Sequence, residues 1–349
     1  MPEADKSQPV GVIGAGSFGT AIANLLAHNT DVLLFSRKAE KIETINRDRH
    51  HMGVDLSSRI RATSDPEEIT SSCSLIFPVV PSVSFRRMMR TFGPHLRPDH
   101  ILIHGTKGFD TREIEEDLIP EKGISRRDVN TISEVILQES AVIRVGCLSG
   151  PNLASEIMEG QPTATVIASR FDEVIDAGQA VLSSRYFHVF GTYEILGAEL
   201  AGALKNVIAL GSGILKGRGM GKNIQAMLIT RGLTEMVHYG KRLGADSRAF
   251  LGTAGIGDLV ATATSKNSRN YTFGYRLGQG ESFQEIRDSM PELAEGVRTL
   301  RIVRFLAKSL KLRVPIIEML YSVVFSDLEI DKAIEFLMTY PYDIDVDFM

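Results

Sequence analysis

A doubly wound α/β sheet domain followed by a mostly α-helical domain is the fold this sequence predicts, on three observations. An apolar run, Val10-Gly11-Val12-Ile13, leads into Gly14-Ala15-Gly16-Ser17-Phe18-Gly19 and then into an alanine-rich helical pattern. Short apolar strand patterns alternate with amphipathic segments up to about residue 190, as βαβ units around a parallel sheet require. After Thr192 the strand signals stop and long helical patterns take over.

The elements follow in chain order. Strands are expected at 10–14, 31–35, 74–79, 100–104, 142–147, 163–168 and 186–190, with helical periodicity between them in segments such as 82–91 and 171–183. Helices are expected at about 194–216, 223–243, 296–310, 314–325 and 330–339. The predicted domains are therefore 1–192 and 193–341, with 342–349 left as a loose acidic tail around Asp343, Asp345 and Asp347. A chain of 349 residues with 43% hydrophobic side chains is long and apolar enough for two cores.

Composition narrows the partners. A formal charge of −4 argues against a nucleic-acid partner but leaves room for a local basic pocket. Met1 to Gln8 carries Glu3 and Asp5 and no apolar core, unlike a secretory signal or an arginine-rich transit peptide. No apolar run is expected to reach the ~20 residues of a membrane span, so the protein is expected in the cytoplasm. Cys73 and Cys147 lie far apart in apolar strand patterns and read as reduced core residues. The eight histidines show no metal-ligand spacing, so no metal site is expected. The apolar face of Val314 to Phe325 would serve a homodimer interface or the core equally well, and core is the simpler reading.

The glycine turn is a Rossmann-type dinucleotide-binding signal in its proper setting. Gly14 permits the sharp turn, Gly16 lets backbone approach a pyrophosphate, and Gly19 lets helix pack on strand. The anion then rests on a helix N-terminus, with its unpaired N–H groups and positive dipole end. The second strand pattern, Val32 to Phe35, ends at Ser36-Arg37-Lys38, where an NAD-specific site would place a carboxylate. Two cations there point to NADP(H) as the preferred cofactor, with NAD(H) also usable; the plainer alternative is two solvated residues opening a helix. The turns Val80-Pro81, Gly150-Pro151-Asn152 and Thr106-Lys107-Gly108 follow strands and should rim the same crevice.

In the second half, Lys205 and Asn206 sit in an otherwise apolar, small-residue helical pattern, where the usual alternative is a snorkelling lysine. Asp258 follows Gly255-Ile256-Gly257 and reads either as a functional carboxylate or as a helix N-cap. Ser268-Arg269-Asn270 offers a hydroxyl, a guanidinium fork and an amide suited to a phosphate.

In this order and spacing, Gly14 to Thr20, Thr106-Lys107-Gly108, Gly150-Pro151, Leu204-Lys205-Asn206, Gly257-Asp258-Leu259 and Ser268-Arg269-Asn270 resemble the NAD(P)-dependent glycerol-3-phosphate dehydrogenases of bacterial type, over about residues 8–340. The resemblance implies interconversion of dihydroxyacetone phosphate and sn-glycerol 3-phosphate, for glycerophospholipid synthesis. It implies that Ser17, Phe18, Arg37, Lys38, Lys107, Ala154, Arg269, Leu293 and Glu295 contact the dinucleotide. Lys107, Gly150, Asn152, Ser268, Arg269 and Asn270 would hold substrate, while Lys205 would be the acid/base and Asp258 its assistant. Two positions depart from the family pattern: Phe18 replaces a larger aromatic and Asn152 replaces Ser or Thr. Another β-hydroxyacid-type dehydrogenase and a non-enzymatic NADP(H) sensor are the rival readings.

Overall fold

The computed structural model describes residues 8–112, 114–290 and 294–341. The strands are β1 (Val10–Ile13), β2 (Val32–Phe35), β3 (His50–His51), β4 (Val54–Asp55), β5 (Ile60–Thr63), β6 (Leu75–Pro78), β7 (Ile101–His104), β8 (Arg144–Ser149), β9 (Thr163–Ser169) and β10 (Phe187–Thr192). Among them lie α1 (Ser17–Leu26), α2 (Ala39–Asp48), α3 (Pro66–Ser72), α4 (Ser82–Phe92), α5 (Ile119–Lys122), α6 (Ile132–Glu139), α7 (Ala154–Met158) and α8 (Asp172–Leu182). The rest is helical: α9 (Ile195–Gly217), α10 (Lys222–Leu243), α11 (Arg248–Leu251), α12 (Asp258–Thr264), α13 (Arg269–Gly278), α14 (Phe283–Ser289), α15 (Glu295–Leu310), α16 (Pro315–Phe325) and α17 (Ile330–Thr339). Two compact units result: Met1–Asp110 with Thr131–Ile195, and Thr111–Asn130 with Leu196–Met349.

The first unit is built on an eight-stranded sheet in the order β10-β9-β8-β7-β6-β1-β2-β5. All neighbours pair in parallel except β8 and β9. Its strands read as continuous apolar runs because both faces are covered. Val12, Leu34 and Phe77 enter one core with Ile22, Leu26 and Val174 of α1 and α8. The alternate residues Ile13, Leu33 and Ile76 enter the other with Ile69, Phe85, Met89 and Ile136 of α3, α4 and α6. Local signals mark the helix ends: Asp65 caps α3 by accepting from Glu67 N at 2.9 Å, ahead of Pro66 at the first helical position. Cys73 and Cys147 are buried and joined in no disulfide, and burial pushes Cys73 up to about 12, which keeps it protonated.

Two features differ from the sequence expectation. β5, with Arg61 between Ile60 and Ala62, is too short and polar to register as an apolar run, yet it pairs with β2 at the sheet edge. The β3–β4 hairpin lies outside the main sheet, its two-residue strands being too brief to carry periodicity.

In the second unit, the segment 111–130 is held by long-range side-chain contacts that no local pattern announces. Arg301 pairs with Asp117, and Arg298 Nη2 donates to Thr111 Oγ1 at 3.4 Å. α9 corrects a further expectation: it is a helix of 23 residues, long and apolar enough to cross a membrane, and 83% of its apolar window is buried inside the protein. α16 likewise gives Ile316, Ile317, Leu320 and Val324 to the interior.

The start of α16 is held by a buried carboxyl group. Glu235 of α10 accepts from the backbone N–H groups of Ile316 and Ile317, and desolvation pushes it up from 4.5 to about 8 despite those bonds. A raised folded-state value means the native protein holds the proton that the unfolded chain releases, so this contribution is complete below about 4.5 and is lost as pH rises through about 8. Thermal melts should therefore show the wild type losing stability between pH 5 and pH 9, with Glu235→Gln flattening that slope; parallel slopes in the two proteins would refute the assignment.

Candidate active site

The carboxyl ends of β1, β6, β7 and β8 present four successive loops in the first unit, the position at which open α/β sheets bind ligands. Gly14 has φ +121°, and a Cβ there would lie 2.7 Å from the Val79 carbonyl, so only glycine fits. A Cβ on Gly19 would strike the Gly14 carbonyl, which shows how closely α1 packs on the turn. Gly16 faces open space, and it begins α1 with no side-chain cap and no acidic residue in the first turn. An uncapped helix N-terminus behind an open glycine fits a pyrophosphate. Ser17 is exposed there, while the Phe18 ring lies over Gly105, where a Cβ would come within 2.7 Å of it.

The neighbouring loops are tied together. Thr106 Oγ1 donates to the Val80 carbonyl at 2.6 Å, and Lys107 Nζ to the Gly150 carbonyl at 2.8 Å. Gly150 holds φ +139°. Asn152 Nδ2 donates to Thr165 Oγ1 at 2.8 Å, which itself donates to the Ser149 carbonyl at 3.1 Å, so the amide orientation follows from the chain of bonds. Asn152 Oδ1 is buried and accepts no hydrogen bond among the described residues. Ala154 opens α7 and packs on the core beneath α1. Arg37 and Lys38 are exposed at the end of β2 and form no ion pair among the described residues, with buried Ser36 beside them.

In the second unit Lys205 does not snorkel. It is 5% exposed, midway along α9, and forms an ion pair with Asp258, which is 1% exposed. Lys205 Nζ also donates to Thr262 Oγ1 at 2.6 Å. Asp258 is not an N-cap; Gly257 holds that position without a side-chain bond, and the Asp258 carboxylate turns inward to the lysine. A π-helical turn, Thr253–Gly257, delivers it there, a local geometry common at functional sites. No local signal in the sequence marks Thr262, although its place four residues after Asp258 puts both on one face of α12.

Asn206 lies next to this pair and binds the second anchor. Asn270 Nδ2 donates to Asn206 Oδ1 at 2.8 Å, and Gly296 N donates to Asn270 Oδ1 at 2.8 Å. The approach depends on glycines: a Cβ on Gly213 or Gly217 of α9 would run into the Tyr271 or Tyr275 carbonyl, and one on Gly274 or Gly278 of α13 into the Leu210 or Ile214 carbonyl. Two Gly-x-x-x-Gly rows thus let the helix backbones touch. Ser268 caps α13 by accepting from Tyr271 N at 3.3 Å, while Arg269 is exposed at its first position. Glu295 begins α15 beside Gly296. Leu293 lies outside the described residues.

A glycine turn that opens a helix on a mostly parallel sheet, followed by a helical unit with a buried, paired lysine, fits the class of NAD(P)-dependent oxidoreductases. The comparisons agree. Residues 9–175 match the family model for the N-terminus of NAD-dependent glycerol-3-phosphate dehydrogenase, and residues 194–335 match that for its C-terminus. The chain is 41% identical to the NAD(P)+ glycerol-3-phosphate dehydrogenase of Azotobacter vinelandii, over 98% of this chain and 97% of the relative. It is 40% identical to that of Saccharophagus degradans, over 97% and 92%. The crystal structure of glycerol-3-phosphate dehydrogenase from Coxiella burnetii is similar with a TM-score of 0.85 at 28% identity, covering 96% of this chain and 99% of that one. The chain belongs to the NAD-dependent glycerol-3-phosphate dehydrogenase family.

A buried ion pair makes its partners interdependent. Asp258→Ala should destabilise the protein by ~3–5 kcal/mol, because it strands the Lys205 ammonium in the interior, and Lys205→Met/Asp258→Leu should recover much of that loss. Urea unfolding of Lys205→Met, Asp258→Leu and the double variant that combines them measures the coupling; additive losses would show that the pair is not desolvated as described.

Proposed function

We propose that this enzyme interconverts dihydroxyacetone phosphate and sn-glycerol 3-phosphate, with Lys205 as the proton donor. The observation that carries the assignment is an ammonium buried in an apolar helix and held by Asp258 and Thr262. A bound nicotinamide supplies the hydride that reaches the ketone carbon. As negative charge develops on the substrate oxygen, Lys205 Nζ stabilises it and then transfers its proton, giving the alcohol and a neutral amine that solvent reprotonates. Asp258 keeps the lysine charged and oriented beforehand, and Thr262 fixes a second direction of the amine.

The remaining residues position. Arg269 and the start of α13 bind the phosphate, with Ser268 and Asn270 beside it. Asn270 already gives its carbonyl to Gly296 and one N–H to Asn206, so its other N–H serves the ligand. Lys107 and Gly150 line the substrate side of the sheet, and Asn152 Oδ1, a buried acceptor, takes a hydrogen bond from a substrate hydroxyl. Arg37 and Lys38 favour NADPH by binding its 2′-phosphate, with NADH as a weaker donor. Supply of glycerol 3-phosphate for glycerophospholipid synthesis in the cytoplasm is the role that fits.

The test is loss of NADPH absorbance with dihydroxyacetone phosphate, run beside NADH and beside unphosphorylated dihydroxyacetone. Turnover should require the phosphate and run faster with NADPH. Lys205→Met should lower kcat by about 10²–10⁴-fold while NADPH binding, followed by fluorescence, persists. Arg269→Ala should instead raise KM for the phosphorylated ketone by roughly 10–100-fold, the worth of a charge-assisted bond. Clear NADPH binding without turnover would sink the enzymatic reading.

A further inference from the structure

The β3–β4 hairpin takes no part in the sheet, yet it is fastened to the dinucleotide-binding segment at two points. Its tip is a two-residue turn in which Met52 and Gly53 have φ +52° and +80°, the left-handed pair that a tight hairpin needs. At its far end Asn24 of α1 holds it, donating to the Asp55 carbonyl at 3.3 Å and accepting from Ser57 N at 3.4 Å. His50 Nδ1 lies 2.9 Å from the Asp55 carboxylate across the strands. The next residue, His51, then places Nε2 3.1 Å from the Ala15 carbonyl. Lys41, in the first turn of α2, donates Nζ to the same oxygen at 3.1 Å.

Both lone pairs of that carbonyl are therefore engaged, by side chains from two separate elements. Nε2 of His51 must carry a hydrogen to donate to it, as either the neutral tautomer or the cation does. The Ala15 carbonyl and the Gly16 N–H belong to one peptide unit. Hydrogen bonds to the oxygen draw electron density from the nitrogen and make its N–H a stronger donor. That N–H belongs to the open glycine of the turn and has no hydrogen-bond acceptor among the described residues.

We infer that Lys41 and His51 are positioning residues for the cofactor: they clamp and polarise the Ala15–Gly16 peptide, and so set how tightly the turn binds the pyrophosphate shared by both dinucleotides. The inference rests on the dinucleotide-binding reading of the turn. It differs from the role of Arg37 and Lys38, which bears on the 2′-phosphate alone.

Two readouts test it on the full-length protein: NADPH and NADH dissociation constants by fluorescence titration, and hydrogen–deuterium exchange of the segment 14–20. Lys41→Met and His51→Leu should each weaken both dinucleotides by about tenfold and by the same factor, the worth of one well-placed bond. Exchange in that segment should quicken while the rest of the sheet keeps its protection. Lys41→Arg, which keeps a donor, should restore binding. The two losses should be non-additive in the double variant, because both act on one oxygen. Unchanged dissociation constants would overturn the inference, and so would a loss confined to NADPH, which would mean direct contact with the 2′-phosphate. A wild-type protein that bound neither dinucleotide would instead defeat the reading on which the inference rests.

Discussion

An ammonium group cannot stay charged inside an apolar helix unless the protein surrounds it with compensating atoms, and the second unit is organised around that demand. Removing an ion from water costs several kcal/mol even after relaxation, so Lys205 needs Asp258 at contact and Thr262 as a further acceptor. Both come from α12, which must start where the π-helical turn ends for the carboxylate to face inward. The next residue on α9, Asn206, carries the arrangement onward to Asn270 and Gly296, which set the starts of α13 and α15. A charge that would be a defect elsewhere thus fixes the placement of three helices.

The first unit solves a different problem with backbone. Its loops are held by carbonyl acceptors: Val80 for Thr106, Gly150 for Lys107, and Ala15 for Lys41 and His51. Backbone oxygens are insensitive to which side chain their own residue bears. The crevice geometry therefore depends on a few donors and on glycines such as Gly14 and Gly19. Asn152 and Phe18 both sit on this frame, the first through Thr165 and the second over Gly105.

Much of this was legible in the sequence, for identifiable reasons. Buried parallel strands are apolar on both faces, so Val32 to Phe35 or Leu75 to Phe77 stand out, whereas β5, interrupted by Arg61 at the sheet edge, does not. The glycine turn was legible because its chemistry is local: strand, turn and helix are consecutive. Lys205 and Asp258 could be singled out by residue type and motif order, but their pairing spans 53 positions of sequence. Thr262 acquires its role only once Lys205 lies opposite the face of α12 that it shares with Asp258. The same holds for the 111–130 segment, whose attachment through Arg298 and Arg301 depends on partners nearly two hundred residues away.

Lys205 has a second consequence, which concerns how the chain is made. α9 emerges during synthesis before the helices that will cover it, as a segment of membrane length and largely apolar character. A lysine near the middle of such a segment adds about 2.5–3.5 kcal/mol to the cost of inserting it into a bilayer. The charge that the folded protein buries against Asp258 therefore also steers the nascent helix away from lipid, before Asp258 has been translated.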